Sequence, residues 1–118
     1  STSRDFCYID NVVQANILAA TSKNLDAVNE VYNIAYGDST TLNELFNHLV
    51  RIITKNNSDF VEKKPNYQNF RNGDILHSLA DIGKAKKLLH FNPSHNIKEG
   101  LEETVNWFIK KSHGKQGY

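Results

Sequence analysis

Apolar positions along this chain recur at two spacings, and the switching between them predicts its elements. Arg4 to Ile9 is a short run with aromatic and β-branched content, which predicts a strand. Asp10 or Asn11 then stands as a helix N-cap, with Gln14 three positions after Asn11 as in a capping box. Behind that cap Val12, Val13, Asn16, Ile17 and Ala20 recur at helical spacing, predicting a core-facing stripe on a helix that ends near Lys23-Asn24. Glu30 to Tyr36 alternates in part and is rich in Val, Tyr and Ile, so it reads as a second strand, terminated by Gly37-Asp38. Thr41-Leu42-Asn43-Glu44 has the form of a capping box. After it, Leu42, Leu45, Phe46, Leu49, Ile52 and Ile53 draw an amphipathic helix as far as Asn56-Asn57.

The pattern weakens from Ser58 to Asn69, where Lys63-Lys64-Pro65-Asn66 reads as a loop because a residue before proline avoids the helical region. After Asp81, the positions Ile82, Ala85, Leu88 and Leu89 fit a short helix with Lys84, Lys86 and Lys87 turned to water, ending before Asn92-Pro93. Asn96-Ile97-Lys98-Glu99 is another capping box, and Ile97, Leu101, Val105, Phe108 and Ile109 form the stripe of a last helix, with Trp107 off it. From His113 to Tyr118 there is too little apolar content to pack, so the expected organisation is one domain over 1–112 and a flexible tail over 113–118. The fold class that follows is α+β with more helix than strand.

Composition narrows the function classes. With 39% hydrophobic and 23% charged positions, 118 residues describe one ordinary domain with a single core. A net charge of +1 lacks the basic surplus that supplies most non-specific nucleic-acid affinity. The longest apolar run, Val12 to Ala20, is broken by Gln14 and Asn16 and falls short of the roughly 20 residues a membrane span needs. A single cysteine, Cys7, forms no internal disulfide, and its neighbours Phe6, Tyr8 and Ile9 predict a buried strand position, in keeping with a cytoplasmic protein. The triplet Asn56-Asn57-Ser58 fits the glycosylation pattern but carries no weight without a secretory route. The chain has no methionine and begins Ser1-Thr2-Ser3, which reads as a fragment or a processed piece of something longer.

Candidate chemistry concentrates in Phe70 to Asp81, where Arg71, Gly73, Asp74 and Ser78 gather a guanidinium, a flexible backbone, a carboxylate and a hydroxyl. The Arg fork matches a phosphate edge, and Gly73 permits a positive φ that turns Asp74 toward the same ligand. Phosphate and sugar hydroxyls together would suit such a loop; a surface turn with a weak Arg–Asp pair is the plainer alternative. His48, His77, His90, His95 and His113 lack cysteine partners and any H-E-x-x-H spacing, so no metal site is expected. No G-x-S-x-G or Gly-rich phosphate loop is present, and the neighbours of Cys7 argue against a reactive thiolate. These residues hold no assembled reaction centre and look suited to binding.

Several short motifs nevertheless stand in one register. Ser3-Arg4-Asp5-Phe6-Cys7-Tyr8-Ile9-Asp10-Asn11-Val12-Val13, Val31-Tyr32-Asn33-Ile34-Ala35 with Gly37, Arg71-Asn72-Gly73-Asp74, Asp81-Ile82-Gly83-Lys84-Ala85, Pro93, and Glu99-Gly100-Leu101 with Trp107 follow the order of one family. Over nearly its whole length the chain resembles the C-terminal portion of NAD-dependent UDP-hexose 4-epimerases of the extended short-chain dehydrogenase/reductase superfamily. Within them it is most similar to the branch acting on UDP-N-acetylglucosamine and its uronic acid in surface polysaccharide synthesis.

The resemblance implies a helix-rich substrate-binding part with a few short strands, the N-terminal Rossmann domain being absent. It implies that Arg4 and Arg71 hold the UDP diphosphate, that Asp74 takes the ribose hydroxyls, and that Ser78 lies beside the C2 substituent of the hexose, where a small residue leaves room for an N-acetyl group. The family's Tyr-x-x-x-Lys and its G-x-x-G-x-x-G cofactor turn are missing. Four positions after Tyr8, Tyr32, Tyr36 and Tyr67 stand Val12, Tyr36, Thr40 and Arg71. No catalytic and no cofactor-binding residue is therefore expected in this chain. NAD belongs to the complete enzyme, a homodimer by resemblance, and the missing cofactor domain is the implied partner. A nucleotide-sugar dehydratase or decarboxylase of the same superfamily, or a non-catalytic sugar-nucleotide-binding module, would share these motifs.

Overall fold

Ser3 and Arg4 form a two-residue strand, β1, paired antiparallel with β2 at Thr40–Thr41, with Ser3 opposite Thr41 and Arg4 opposite Thr40. This computed structural model describes residues 1–114. Among the described residues four helices complete the α+β architecture: α1 at Ile9–Thr21, α2 at Leu42–Asn56, α3 at Gly83–Leu89 and α4 at Ile97–Gly114. A 3-10 turn lies at Leu25–Ala27. Among the described residues no helix is long and apolar enough to cross a membrane.

Where local chemistry dictates the ends, expectation and structure coincide. The Thr41 hydroxyl accepts the Glu44 N–H at 3.1 Å while the Glu44 carboxylate accepts the Thr41 N–H at 2.7 Å, so both halves of the capping box form at the start of α2. At α4 Asn96 and Glu99 make the same reciprocal exchange, at 3.0 and 3.3 Å. The helix α3 begins at Gly83, two positions later than Asp81, because the Asp81 carboxylate stays outside to accept the Gly83 N–H at 2.9 Å. It ends at His90, whose φ of 56° is left-handed. Its lysines are not all solvated: Lys84 reaches Glu30 at 2.8 Å and lies over the Tyr32 ring. The last helix runs through His113 and Gly114, where a tail was expected to begin; the rest of that tail, 115–118, lies outside the described residues.

Three expectations need correction. The run Arg4 to Ile9 does not continue as a strand, since β1 stops at Arg4, and Cys7 sits half-buried in the bend between β1 and α1. The segment Glu30 to Tyr36 forms no strand. It has no neighbouring ladder among the described residues and is tied by side chains instead: the Tyr32 hydroxyl donates to the Ala27 carbonyl at 2.6 Å, and Ala35 is buried. The third concerns α1, which starts at Ile9 with no side-chain cap. Asn11 lies inside the helix, fully buried, and Val13 and Ile17 of the expected stripe are exposed.

The buried side of α1 is set by amides. Asn11 donates to the His95 carbonyl at 2.8 Å and accepts from the Ser94 and His95 N–H groups at 2.8 and 3.2 Å. Gln14, one turn on, exchanges two bonds with the Asn92 backbone at 2.8 and 2.9 Å. Because i and i+3 share a helix face, this polar seam turns Ala15 and Leu18 inward. The core beneath is made largely of small residues, Ala15, Ala27, Ala35 and Ala85, closed by Ile82, Leu89 and Phe91. A second contact joins α2 and α4, whose buried apolar residues are Ile52 and Val105.

Candidate functional site

The loop that carries Arg71 is delivered to β1 by backbone pairing. Arg71 to Asp74 is a tight turn closed by the Asp74 N–H on the Arg71 carbonyl at 3.2 Å, with Gly73 at φ 89°, as the third position of a type II turn requires. The chain then runs alongside β1. The Ser3 N–H donates to the Leu76 carbonyl at 2.9 Å, the Ser78 N–H donates to the Ser3 carbonyl at 3.1 Å, and Ser3 bridges His77 in parallel register. The buried Ser3 hydroxyl also bonds His77 Nδ1 at 2.7 Å. β1 is thus held between β2 on one side and residues 76–78 on the other.

That arrangement brings Arg4 against the far end of the Arg71 loop. The Arg4 Nη1 donates to the Ser3 carbonyl at 2.7 Å and to the Leu76 carbonyl at 3.3 Å. Its sequence neighbour Asp5 turns away, accepting the Tyr36 and Gly37 N–H groups at 3.1 and 2.9 Å. The surface pair of Arg4 with Asp5, the plain alternative at that position, is therefore not what the structure contains. The ion pairs of the described residues are Lys55–Glu102, Lys84–Glu30 and His95–Glu103, and neither Arg4 nor Arg71 takes part in one.

Arg71, Asp74 and Ser78 are exposed and Arg4 is half-buried. Ser78 sits five positions before α3 begins and its side chain caps nothing there, that role falling to Asp81. The sequence reading missed Ser3, Leu76 and His77, which carry the pairing. The one available signal was the run Ile75 to Leu79, apolar apart from His77 and Ser78 beside an Arg-x-Gly-Asp turn.

Away from this loop, burial followed by the nearby Asp5 charge pushes the Cys7 thiol above its ordinary range, the reverse of a reactive thiolate. The expectation of no metal ligands came from spacing alone. The fold brings the ligand atoms of Asp10, His95 and Glu103 within 4.8 Å of one another.

The profile of the GDP-mannose 4,6 dehydratase family matches residues 1–104. A UDP-glucuronate 4-epimerase of Thermodesulfobacterium geofontis is 39% identical over 106 residues, covering 89% of this chain and 30% of that protein. Among solved structures, the UDP-glucose 4-epimerase of Thermotoga maritima with UDP-glucose superposes with a TM-score of 0.78 at 39% identity, over 93% of this chain and 32% of that one. The UDP-glucuronic acid 4-epimerase of Bacillus cereus, in complex with UDP-glucuronic acid and NAD, gives a TM-score of 0.73 at 27% identity, over 86% and 30% of the two chains. The chain thus spans about 30% of the length of these relatives. With the helix-rich fold, the two-stranded sheet and residues 76–78 paired with β1, these likenesses converge: this chain belongs to the GDP-mannose 4,6 dehydratase family and corresponds to the C-terminal portion of its nucleotide-sugar epimerases, in the extended short-chain dehydrogenase/reductase superfamily.

Proposed function

We propose that this chain is the UDP-sugar-binding part of a NAD-dependent UDP-hexose 4-epimerase and is inactive without the cofactor-bearing part. The observation that supports it most is the pairing of residues 76–78 with β1, which puts the Arg4 guanidinium on the Leu76 carbonyl, two residues beyond the turn of Arg71 to Asp74. Two guanidinium forks approaching from a strand end and from a type II turn suit a diphosphate, where charge-assisted bonds contribute roughly 1.5–3 kcal/mol each. Asp74, following Gly73 in the turn, is an acceptor suited to ribose hydroxyls. These residues bind and orient. NAD would supply the hydride acceptor, but the chain's own residues include no Gly-rich turn to cradle it and no Tyr-x-x-x-Lys to move a proton. The exposed apolar row Ile9, Val13 and Ile17 on α1 is where we seat the cofactor-bearing part.

Within the UDP-hexoses we assign N-acetylated substrates, on the small side chain of Ser78. Calorimetry with UDP tests the anchor. Arg4→Ala or Arg71→Ala is expected to weaken UDP binding by about 1.5–3 kcal/mol, roughly tenfold to hundredfold. Arg71→Ala is the cleaner variant, because Arg4 also holds the Leu76 carbonyl. Unchanged affinity in both variants would refute the assignment, and saturable micromolar NAD binding to this chain alone would refute its dependence on another part.

A further inference from the structure

Asp10, His95 and Glu103 come from the first turn of α1, the loop before α4, and α4 itself, and their ligand atoms lie within 4.8 Å of one another. We propose that they form a divalent-cation site of the zinc class, which nothing in the epimerase reading requires. The donor set is one imidazole nitrogen and two carboxylates, a mixture that suits borderline first-row ions, zinc foremost. His95 Nε2 already stands 3.2 Å from Glu103 Oε1. That is close to the separation of two donors sharing an ion at about 2.0–2.2 Å. Asp10 is exposed and free to turn its carboxylate inward.

The imidazole is held as a ligand imidazole needs to be. Its Nδ1 lies 2.7 Å from the Ser94 hydroxyl, and that oxygen lies 3.3 Å from Asn11 Oδ1. With a metal on Nε2 the proton sits on Nδ1 and is donated to Ser94 Oγ, which in turn donates to Asn11 Oδ1, so each group keeps a partner. The backbone of His95 is fixed at both its N–H and its carbonyl by the buried Asn11. The ring lies tilted against that of Tyr8, with centroids 4.8 Å apart, and the Tyr8 hydroxyl donates to Glu103 Oε2 at 3.3 Å. A helix, a loop and a second helix thus converge with their backbones tied, and an ion there would neutralise two carboxylates of which Glu103 is the one paired with the imidazole.

Zinc chloride titrated into the full chain, followed by calorimetry, is the test, with Asp10→Asn/Glu103→Gln and His95→Gln as variants. The double variant changes two exposed side chains, so it reports on binding without threatening the fold. One equivalent of zinc is expected to bind, and each variant to lose affinity roughly tenfold or more. Long-range proton–nitrogen NMR of the His95 ring is expected to show Nε2 as the metallated nitrogen with the proton on Nδ1. Absence of saturable binding, an affinity unchanged in the double variant, or a zinc response confined to His48, His77, His90 or His113 would each overturn the proposal.

Discussion

Replacing Asn11 with Ala should cost as much as truncating a buried aliphatic side chain, although it removes neither an aromatic nor a large aliphatic group. Asn11 has no exposed surface and ties α1 to the loop before α4. Alanine would strand three backbone groups, the N–H of Ser94 and the N–H and carbonyl of His95; the Ser94 hydroxyl keeps His95 Nδ1 as a partner. A buried group left without its bond costs about 1–3 kcal/mol. Ser94 is itself exposed, which lets water approach part of the gap, so the low end applies to each and the expected loss is about 3 kcal/mol. Against a total stability of roughly 5–15 kcal/mol that is a large share. Gln14→Ala supplies the control. It removes two bonds of similar length to Asn92, but these are exposed and water replaces them, so the cost should stay below about 1 kcal/mol. Urea unfolding of both variants, compared at equal m-values, reads the difference. Equal losses would show that burial of the amide is not what matters, and a loss below about 1 kcal/mol for Asn11→Ala would refute the reasoning outright.

Other expectations follow from single sites. Gly100→Ala places a Cβ only 2.7 Å from the Tyr8 Cβ, an atom fixed to backbone. Helix propensity would return about 1 kcal/mol against an overpacking cost of about 1–3 kcal/mol, so a lower melting temperature is expected, and an unchanged or higher one would contradict the packing. His48 is held below its ordinary value by burial and then by Lys98 and Arg51, so folding favours its neutral form. Stability from this group is fully present above the unfolded value of about 6.5 and declines as pH falls through the folded value. The urea midpoint of wild type should therefore fall relative to that of His48→Gln as pH drops from 7 toward 5, and parallel curves would sink the account. Ser78→Tyr in the complete enzyme should lower kcat/KM at least tenfold for an N-acetylated UDP-hexose while sparing UDP-glucose, since overfilling a packed site costs about 1–3 kcal/mol; equal losses on both substrates would eliminate the pocket role.

The three capping-box spacings show how much of the fold was legible and where legibility stopped. Thr41 with Glu44 and Asn96 with Glu99 behave as local chemistry dictates, because in each case the acid finds its acceptor's own N–H within one turn and nothing more distant competes. Asn11 with Gln14 has the same spacing and a compatible pair of side chains, yet both amides are spent on residues 92–95. An amide carries donor and acceptor together, so it can satisfy a whole peptide unit of an irregular loop, which a carboxylate cannot do. The loop from Phe91 to Asn96 has no ladder to supply those bonds, and α1 supplies them instead. Once the amides face inward, Ala15 and Leu18 must follow and Val13 and Ile17 must turn out, which is why hydrophobic periodicity named the wrong face. The candidate site divides along the same line. The type II turn at Arg71 to Asp74 is written in neighbouring residues through Gly73. Its attachment to β1 depends on Ser3 and Leu76, and the meeting of Asp10, His95 and Glu103 depends on the same amide seam that misled the helix assignment. Long-range polar bonds of this kind leave no period in the sequence, so the residues they bring together can be read only after the fold is known.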